Sequence, residues 1–568
     1  MADYAAERFG ERPTGLWCAE RIWEPGLPKK LAGLGIDYTL LDDSHFLAAG
    51  LTPEQVHGYY LTEREGYALK VFPIDMHLRY MIPFREPWET IDYLRRLRDR
   101  GVKIATYGDD GEKFGMWPGT CKWVYEEGWL ERFMTEIEKV GDEIEVVPLR
   151  DAARAVKPQG RIYLPTATYQ EMMEWSLFAE SGRIYEDLIN RAKEEPDWQQ
   201  QRAFLRGGLW DNFLAKYPES NLMHKKMLRV SGLVASAGAP ATAERHLLMG
   251  QCNCPYWHGL FGGVYIRGLR HAIYEHLITA ERLTDEARFA DGQEFIFETC
   301  DQDYDGLDEI LVSGRKLNCY LAPHAGASVY ALEYKPLGYA LSNILMRHPE
   351  IYHRQILENS GGHGESSGNE PKSIHDIDRG DTTWLKSLLI YDEYPKNSFM
   401  THLLTEKPDL ELLARDNRVL GAAALDYSAS HSGDSLSFSA ACAGLKVVKT
   451  FDFKPDAVSL SHWIESATPL WLVLEFNLMI LSGERPRVAG RLMDEDRGIF
   501  SAATIELADT YKGLSLTLTS AERWEVVVTP IECASQSESG FEKTFQGWTI
   551  YLVGRFERVP AVELKVVG

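Results

Sequence analysis

"GLWCAERIWEPGLP", residues Gly15 to Pro28, is the stretch on which the fold turns. Apolar and small residues run into Glu20, and Arg21, Trp23 and Glu24 follow before Pro25 and Pro28 close the segment. A strand buried in a parallel sheet reads as such a run. A carboxylate at its end stands where α/β sheets gather their active residues, just past the carboxyl ends of the strands. Working outward, "LPKKLAGLG" reads as a helix stopping at Gly35, and "DYTLLDD" and "LKVFPID" read as strands. "EPWETIDYLRRLRDRG" is an amphipathic helix with Glu86 and Glu89 early, Arg98 and Arg100 late and Gly101 as its stop. "VKIATYGDD" is then a strand and "WLERFMTEIEKVG" a helix. This alternation predicts parallel strands joined by right-handed crossovers. Glu20 and the pair Asp109–Asp110 then fall at the same end of two strands.

Further along, "QEMMEWSLFAESGRIYEDLINRAKEE", "KKMLRVSGLVASA" and "VYIRGLRHAIYEHLITAERL" carry apolar residues at three- and four-residue spacing, so the middle of the chain is expected to be helical. Beyond residue 300 short alternating segments such as "SVYALEYKP", "LWLVLEFNLMIL" and "RWEVVVTPIE" predict an antiparallel β-sandwich. "ENSGGHGESSGNEPKSIHD" is polar and Gly/Ser-rich and is expected to be a mobile loop. The expected division is 1–160, a partial barrel with the catalytic carboxylates; 161–295, a helical subdomain completing the cleft; and 296–568, a β-sandwich.

The 568 residues are 45% hydrophobic and 26% charged, as in an ordinary globular protein. No apolar run is long enough to span a membrane, and the N-terminus has no signal-peptide core. Eight scattered cysteines predict reduced thiols in a cytoplasm rather than a disulfide framework. A net charge of −23 argues against nucleic acid as a partner and leaves neutral substrates such as sugars.

"TYGDDGEKFGMWPGT", Thr106 to Thr120, packs Asp109, Asp110, Glu112 and Lys113 into one turn, with Trp117 close behind. Mutual repulsion can keep one such acid protonated beside an ionised neighbour; an Asp-Gly turn with solvated acids is the plainer alternative. Two carboxylates at the ends of parallel strands, each with tryptophans nearby, suit a glycosidase. "GQCNCPYWHGLFGG", Gly250 to Gly263, is an aromatic loop able to enter a cleft. The spacing of Cys252, Cys254 and His258 is not a standard zinc pattern, and no metal or cofactor is expected.

Together, "GLWCAERIWEPGLP", "GDDGEKFGMWPGT" and "CNCPYWHGLFGG" closely resemble the later motifs of glycoside hydrolase family 57, in its 4-α-glucanotransferase/α-amylase branch. "LLDDSHF", "RYMIPF", "NFLAKYPESNLMHKKML", "SIHD" and "LLIYDEYPKNSF" extend the resemblance over nearly the whole chain. It implies an incomplete (β/α)7-type barrel, a helical subdomain and a C-terminal antiparallel β-sandwich, with a retaining mechanism on α-1,4-glucans and maltooligosaccharides. By position, Glu20 takes the nucleophile's place and Asp110 the acid/base's. Trp17, Asp43, Asp109, Glu112, Trp117, Tyr256, Trp257 and His258 would bind or support the sugar. Homodimers are common in the family, though no residue here marks an interface. A nearby cation or hydroxyl network should hold Glu20 ionised, and crowding by Asp109 and Glu112 should keep Asp110 protonated.

Two departures stand out. Cys254-Pro255 replaces the family's Asp-Ala, and a thiol is a poorer partner for sugar hydroxyls than that Asp. The family's opening His-Gln-Pro strand and a second early glutamate region do not occur, so the expectation is a chain truncated ahead of the nucleophile strand, with open barrel edges. Three readings follow: a glucan-active enzyme, as 4-α-glucanotransferase first and α-amylase-type hydrolase second; a catalytically weak glucan-binding protein; or a fragment that needs a partner chain for its missing strands.

Overall fold

In the computed structural model, residues 1–236, 238–358, 382–419, 425–442, 444–537 and 540–568 are described. The Gly/Ser-rich stretch from 359 to 376, with its "SIHD", lies outside them.

The N-terminal part is built on parallel pairing, as the strand–helix alternation requires. Strands Gly15–Trp17, Tyr38–Asp42 and Tyr67–Ile74 lie side by side and parallel. Tyr60–Arg64 adds an antiparallel edge through a tight hairpin onto Tyr67–Ile74. One parallel bridge, Ile74 to Thr106, carries the pairing on to the next segment. Leu41, Phe46, Val71 and Phe72 fill the interior without solvent exposure. Each such side chain contributes roughly 1.5–3 kcal/mol of burial free energy.

Two expected strands differ in extent. The first ends at Trp17 rather than running to Glu20, because Glu20 (φ 51°) and Arg21 (φ 47°) leave the extended region. "VKIATYGDD" stays irregular apart from the bridge at Thr106, because the chain turns at Gly108 against Leu40 and Trp17. A Cβ at Gly108 would stand 2.9 Å from Leu40 Cδ2 and 3.2 Å from Trp17 Cζ3, so the close approach needs glycine.

The middle of the chain is helical. The helix expected to begin at Gln170 is broken into Gln170–Trp175 and Ala179–Lys193. Phe178 is extended between them, and the Lys216 ammonium donates to the freed carbonyl of Trp175 at 3.0 Å. Such a charged donor satisfies an end that would otherwise be orphaned. Helices Pro218–Ser236, Ala241–Met249 and Arg267–Arg282 pack around Met223, Val230, Ile273 and Leu277.

The C-terminal part is a sandwich of two antiparallel sheets. Five strands from Phe295–Cys300 to Tyr339–Ala340 form the smaller sheet, and twelve form the larger. Val312, Leu321 and Val329 of the first share one core with Phe451, Phe476, Ile550 and Leu552 of the second. All eight cysteines are free. Among the described residues, no helix is long and apolar enough to cross a membrane.

Candidate active site

The carboxyl ends of the parallel strands converge on one cluster. Just past the first strand, Ala19–Arg21 forms a tight turn that carries Glu20 in the left-handed region (φ 51°, ψ 17°), with Arg21 following at φ 47°. Two consecutive non-glycine residues there cost on the order of 1–3 kcal/mol each and persist only where the surroundings over-determine them. The surroundings do so. Arg21 N–H donates to the Cys18 carbonyl at 2.8 Å, and the Arg21 carbonyl meets His45 Nε2 at 2.6 Å. His45 is fully buried, and its Nδ1 faces the Asp42 carbonyl at 3.0 Å. Trp23 pairs both ways with Ala167, its amide donating at 3.0 Å and its carbonyl accepting at 3.2 Å.

Both oxygens of the Glu20 carboxylate are engaged. Oε2 accepts from the Tyr169 hydroxyl at 2.9 Å, and Oε1 accepts from Asn253 Nδ2 at 3.2 Å. The Arg21 guanidinium lies 4.3 Å from the Tyr169 ring centre and 5.7 Å from that of Trp17. Burial pushes the Glu20 pKa above the ordinary glutamate value; Arg21 and the Tyr169 hydrogen bond pull against burial, and the charge of Asp110 adds to the rise. The expected cation and hydroxyl are therefore present, yet they do not outweigh desolvation.

The side chain of Asp109 is buried in the turn. It is 1% exposed, held by Arg79 Nε at 3.3 Å and by the Lys113 ammonium, and Oδ1 accepts the Asp110 amide at 2.9 Å. It ties down the turn that carries Asp110. Lys113 also donates to the Arg79 carbonyl at 2.8 Å, and Arg79 reaches Asp42 at 3.4 Å. Burial alone would raise the Asp42 pKa, but Arg79 and Arg21 bring it down to about 2. Its neighbour Asp43 is turned to Arg202, and burial together with the Asp42 charge pushes its pKa up to about 7.

The aromatic residues divide. Trp17 is 41% exposed beside the Gly108 turn, and Glu112 is exposed. Trp117 is stacked on Phe84 with ring centres 5.8 Å apart, and Trp257 on Trp175 at 5.9 Å; both are buried. Trp257 Nε1 has no hydrogen-bond partner among the described residues. Tyr256 turns into the helical core, its hydroxyl donating to the Gly250 carbonyl at 2.7 Å. Its aromatic character was expected at the cleft, but the Pro255 turn sends it inward. His258 is buried between the Gly262 carbonyl (2.7 Å) and the Tyr352 hydroxyl (3.0 Å), and burial lowers its pKa to about 4, so it is neutral at physiological pH. It lines a cavity with Glu174, Trp175, Lys216 and Glu350. Cys254 is exposed, and partial desolvation, with Cys252 and Glu20 adding to it, raises its pKa.

Tyr169, Asn253, Arg79 and Lys113 were not among the sequence-predicted site residues. Asn253 and Lys113 lie inside the quoted motifs, so position was legible there. Tyr169 meets Glu20 across 149 residues of chain, which no local pattern reveals.

This geometry agrees with what the chain resembles. Residues 1–165 match the glycosyl hydrolase family 57 model, 208–284 the middle domain of the α-amylase/4-α-glucanotransferase group, and 301–566 its C-terminal domain. The chain is 39% identical to alpha-amylase 1 of Dictyoglomus thermophilum over 96% of its own length and 80% of that protein's. It is 34% identical to the 4-alpha-glucanotransferase of Thermococcus kodakarensis over 95% of its length and 80% of the relative's. The crystal structure of 4-alpha-glucanotransferase from Thermococcus litoralis superposes with a TM-score of 0.84 at 31% identity, covering 99% of this chain and 83% of that one. The chain belongs to glycosyl hydrolase family 57. Within that family it falls in the group of α-amylases and 4-α-glucanotransferases.

Proposed function

We propose that the protein is a retaining 4-α-glucanotransferase acting on α-1,4-glucans and maltooligosaccharides, with Glu20 as nucleophile and Asp110 as acid/base. The observation that carries this reading is the Glu20 carboxylate in the turn just past a strand end, with both oxygens held by Tyr169 and Asn253. In the first step the Asp110 carboxyl protonates the glycosidic oxygen while a Glu20 oxygen bonds the anomeric carbon, and the leaving glucan departs with the proton. In the second, Asp110 takes the proton from an acceptor hydroxyl, whose oxygen displaces Glu20. Trp17 offers an exposed indole face for a sugar at the cleft rim. Relatives named 4-alpha-glucanotransferase and relatives named alpha-amylase match over comparable lengths, so the product distribution decides between transfer and hydrolysis. The eight free thiols suit a reducing compartment such as the cytoplasm.

Incubation with maltotetraose tests the reading. Transfer gives a ladder of products both shorter and longer than the substrate. Shorter sugars alone would make the protein an α-amylase-type hydrolase. No turnover by folded protein would overturn the enzymatic reading.

A further inference from the structure

Ahead of the strand Glu309–Gly314 the chain reads "DQDYDGLDE", Asp301 to Glu309. Aspartates at the first, third and fifth positions and glycine at the sixth are the spacing of oxygen-donor calcium loops. Gly306 adopts φ 92°, as the sharp turn demands. Carboxylate oxygens of Asp301, Asp303 and Glu309 lie within 4.8 Å of one another, and those of Asp305 and Glu309 do so together with His324.

Glu309 supplies the decisive observation. Its side chain is 2% exposed and its Oε2 accepts the Gln302 amide at 2.7 Å, while Oε1 accepts no hydrogen bond among the described residues. A buried carboxylate oxygen left without a donor and turned toward other carboxylates is costly unless the group takes up a proton or a cation stands between them. The one basic side chain within ion-pair range of this cluster, among the described residues, is His324. Its Nε2 is 3.6 Å from Asp305 and 3.7 Å from Glu309, beyond hydrogen-bond distance, and it offers at most a single charge against several.

We propose that residues 301–309 form a calcium site, with the carboxylates of Asp301, Asp303, Asp305 and Glu309 as ligands and the Leu307 carbonyl, at the seventh position, as the fifth donor. An all-oxygen set rich in carboxylates suits Ca²⁺; Mg²⁺ keeps more of its water, and Zn²⁺ favours nitrogen and sulfur. The site is not a helix–loop–helix hand. Val312 stands at the twelfth position, and the loop runs into a strand, so the ninth-position Glu309 supplies the last acid. Asn221 donates to the Asp303 carbonyl at 2.7 Å, and the Lys225 ammonium lies 5.4 Å from the Tyr304 ring centre. Both come from the helix Pro218–Ser236, so the ion fastens the helical part of the chain to the smaller sheet.

The test uses the full chain stripped with a chelator. Calcium chloride titration by calorimetry is expected to show one ion per chain. Tyr304, 73% exposed within the loop, should sensitise Tb³⁺ luminescence that Ca²⁺ displaces. Saturating calcium should raise the melting temperature by at least about 2 °C. Asp305→Asn and Glu309→Gln should each weaken binding at least about tenfold. Asp494→Asn, at an exposed position elsewhere, should leave binding unchanged. Asp305 is itself partly exposed, so its variant is expected to retain the parent's circular dichroism. Absence of uptake at millimolar calcium would overturn the proposal, as would uptake unaffected in both loop variants. So would tight Zn²⁺ binding that is lost in His324→Ala and is accompanied by no response to calcium.

Discussion

Glu20→Gln is expected to lower kcat on maltooligosaccharides by at least about 10³-fold, because an amide cannot form the glycosyl ester. The fold should survive. The glutamine carbonyl can still accept from Tyr169, and Asn253 can rotate its amide to accept from the new N–H. Burial raises the Glu20 pKa in the folded chain, so the ionised carboxylate is less favourable there than in the unfolded chain. The resulting loss of stability is absent below the unfolded-state pKa and complete above the folded-state one. At neutral pH the variant should therefore melt no lower than the parent. The same raised pKa places the acid limb of wild-type kcat/KM above the range of an ordinary glutamate. A variant that lost both activity and melting temperature would mark Glu20 as structural.

Lys226→Met is expected to give the largest loss of stability, about 3–5 kcal/mol. Lys226 is buried in the helix Pro218–Ser236 and pairs with Glu281, and with Glu333 at 2.7 Å, both of them also buried. Asn318 donates to Glu333 at 2.8 Å and to Glu281 at 3.2 Å, and Lys335 holds Asp285 at 3.0 Å beside them. Among the described residues, removing the ammonium leaves Glu333 with only the Asn318 amide and Glu281 short of its nearest cation. The melting temperature should fall by roughly 5–10 °C. Glu281 is held below its ordinary pKa: burial opposes this, but Lys226, Lys335 and Arg288 prevail. Its contribution is present above the unfolded-state pKa and is lost as pH falls through the folded one. The difference between parent and variant should accordingly shrink in acid. Replacing Glu281 and Glu333 by leucine alongside Lys226→Met should recover much of the loss, since well-packed apolar groups can substitute for a buried ionic cluster.

These two clusters show what sequence could and could not convey. The apolar run before Glu20 and the helix Pro87–Asp99 follow from patterning, and the family motifs singled out Glu20, Asp110 and Trp17 as candidate site residues. Patterning did not reveal that the first strand stops at Trp17, because a left-handed glutamate is a consequence of its tertiary partners. Nor could it distinguish Asp42 from Asp43: adjacent acids at a strand end look alike until Arg79 claims one and Arg202 the other. The ion pairs of Asp109 were not legible, because Lys113, four residues on, and Arg79, thirty residues back, reach it only in the fold. The tryptophans Trp117 and Trp257 had the composition of sugar platforms, but their stacking on Phe84 and Trp175 depends on distant segments.

The central claim is that Glu20 carries the sugar while Asp110 moves the proton. The most direct measurement uses Asp110→Ala with α-maltosyl fluoride, whose leaving group needs no acid. Glu20 should displace fluoride, and without a base the ester should accumulate. Intact mass would then rise by one maltosyl unit, peptide mapping would place it on Glu20, and added azide would release it as the α-glycosyl azide. An adduct on another residue, or none with turnover undiminished, would contradict the account.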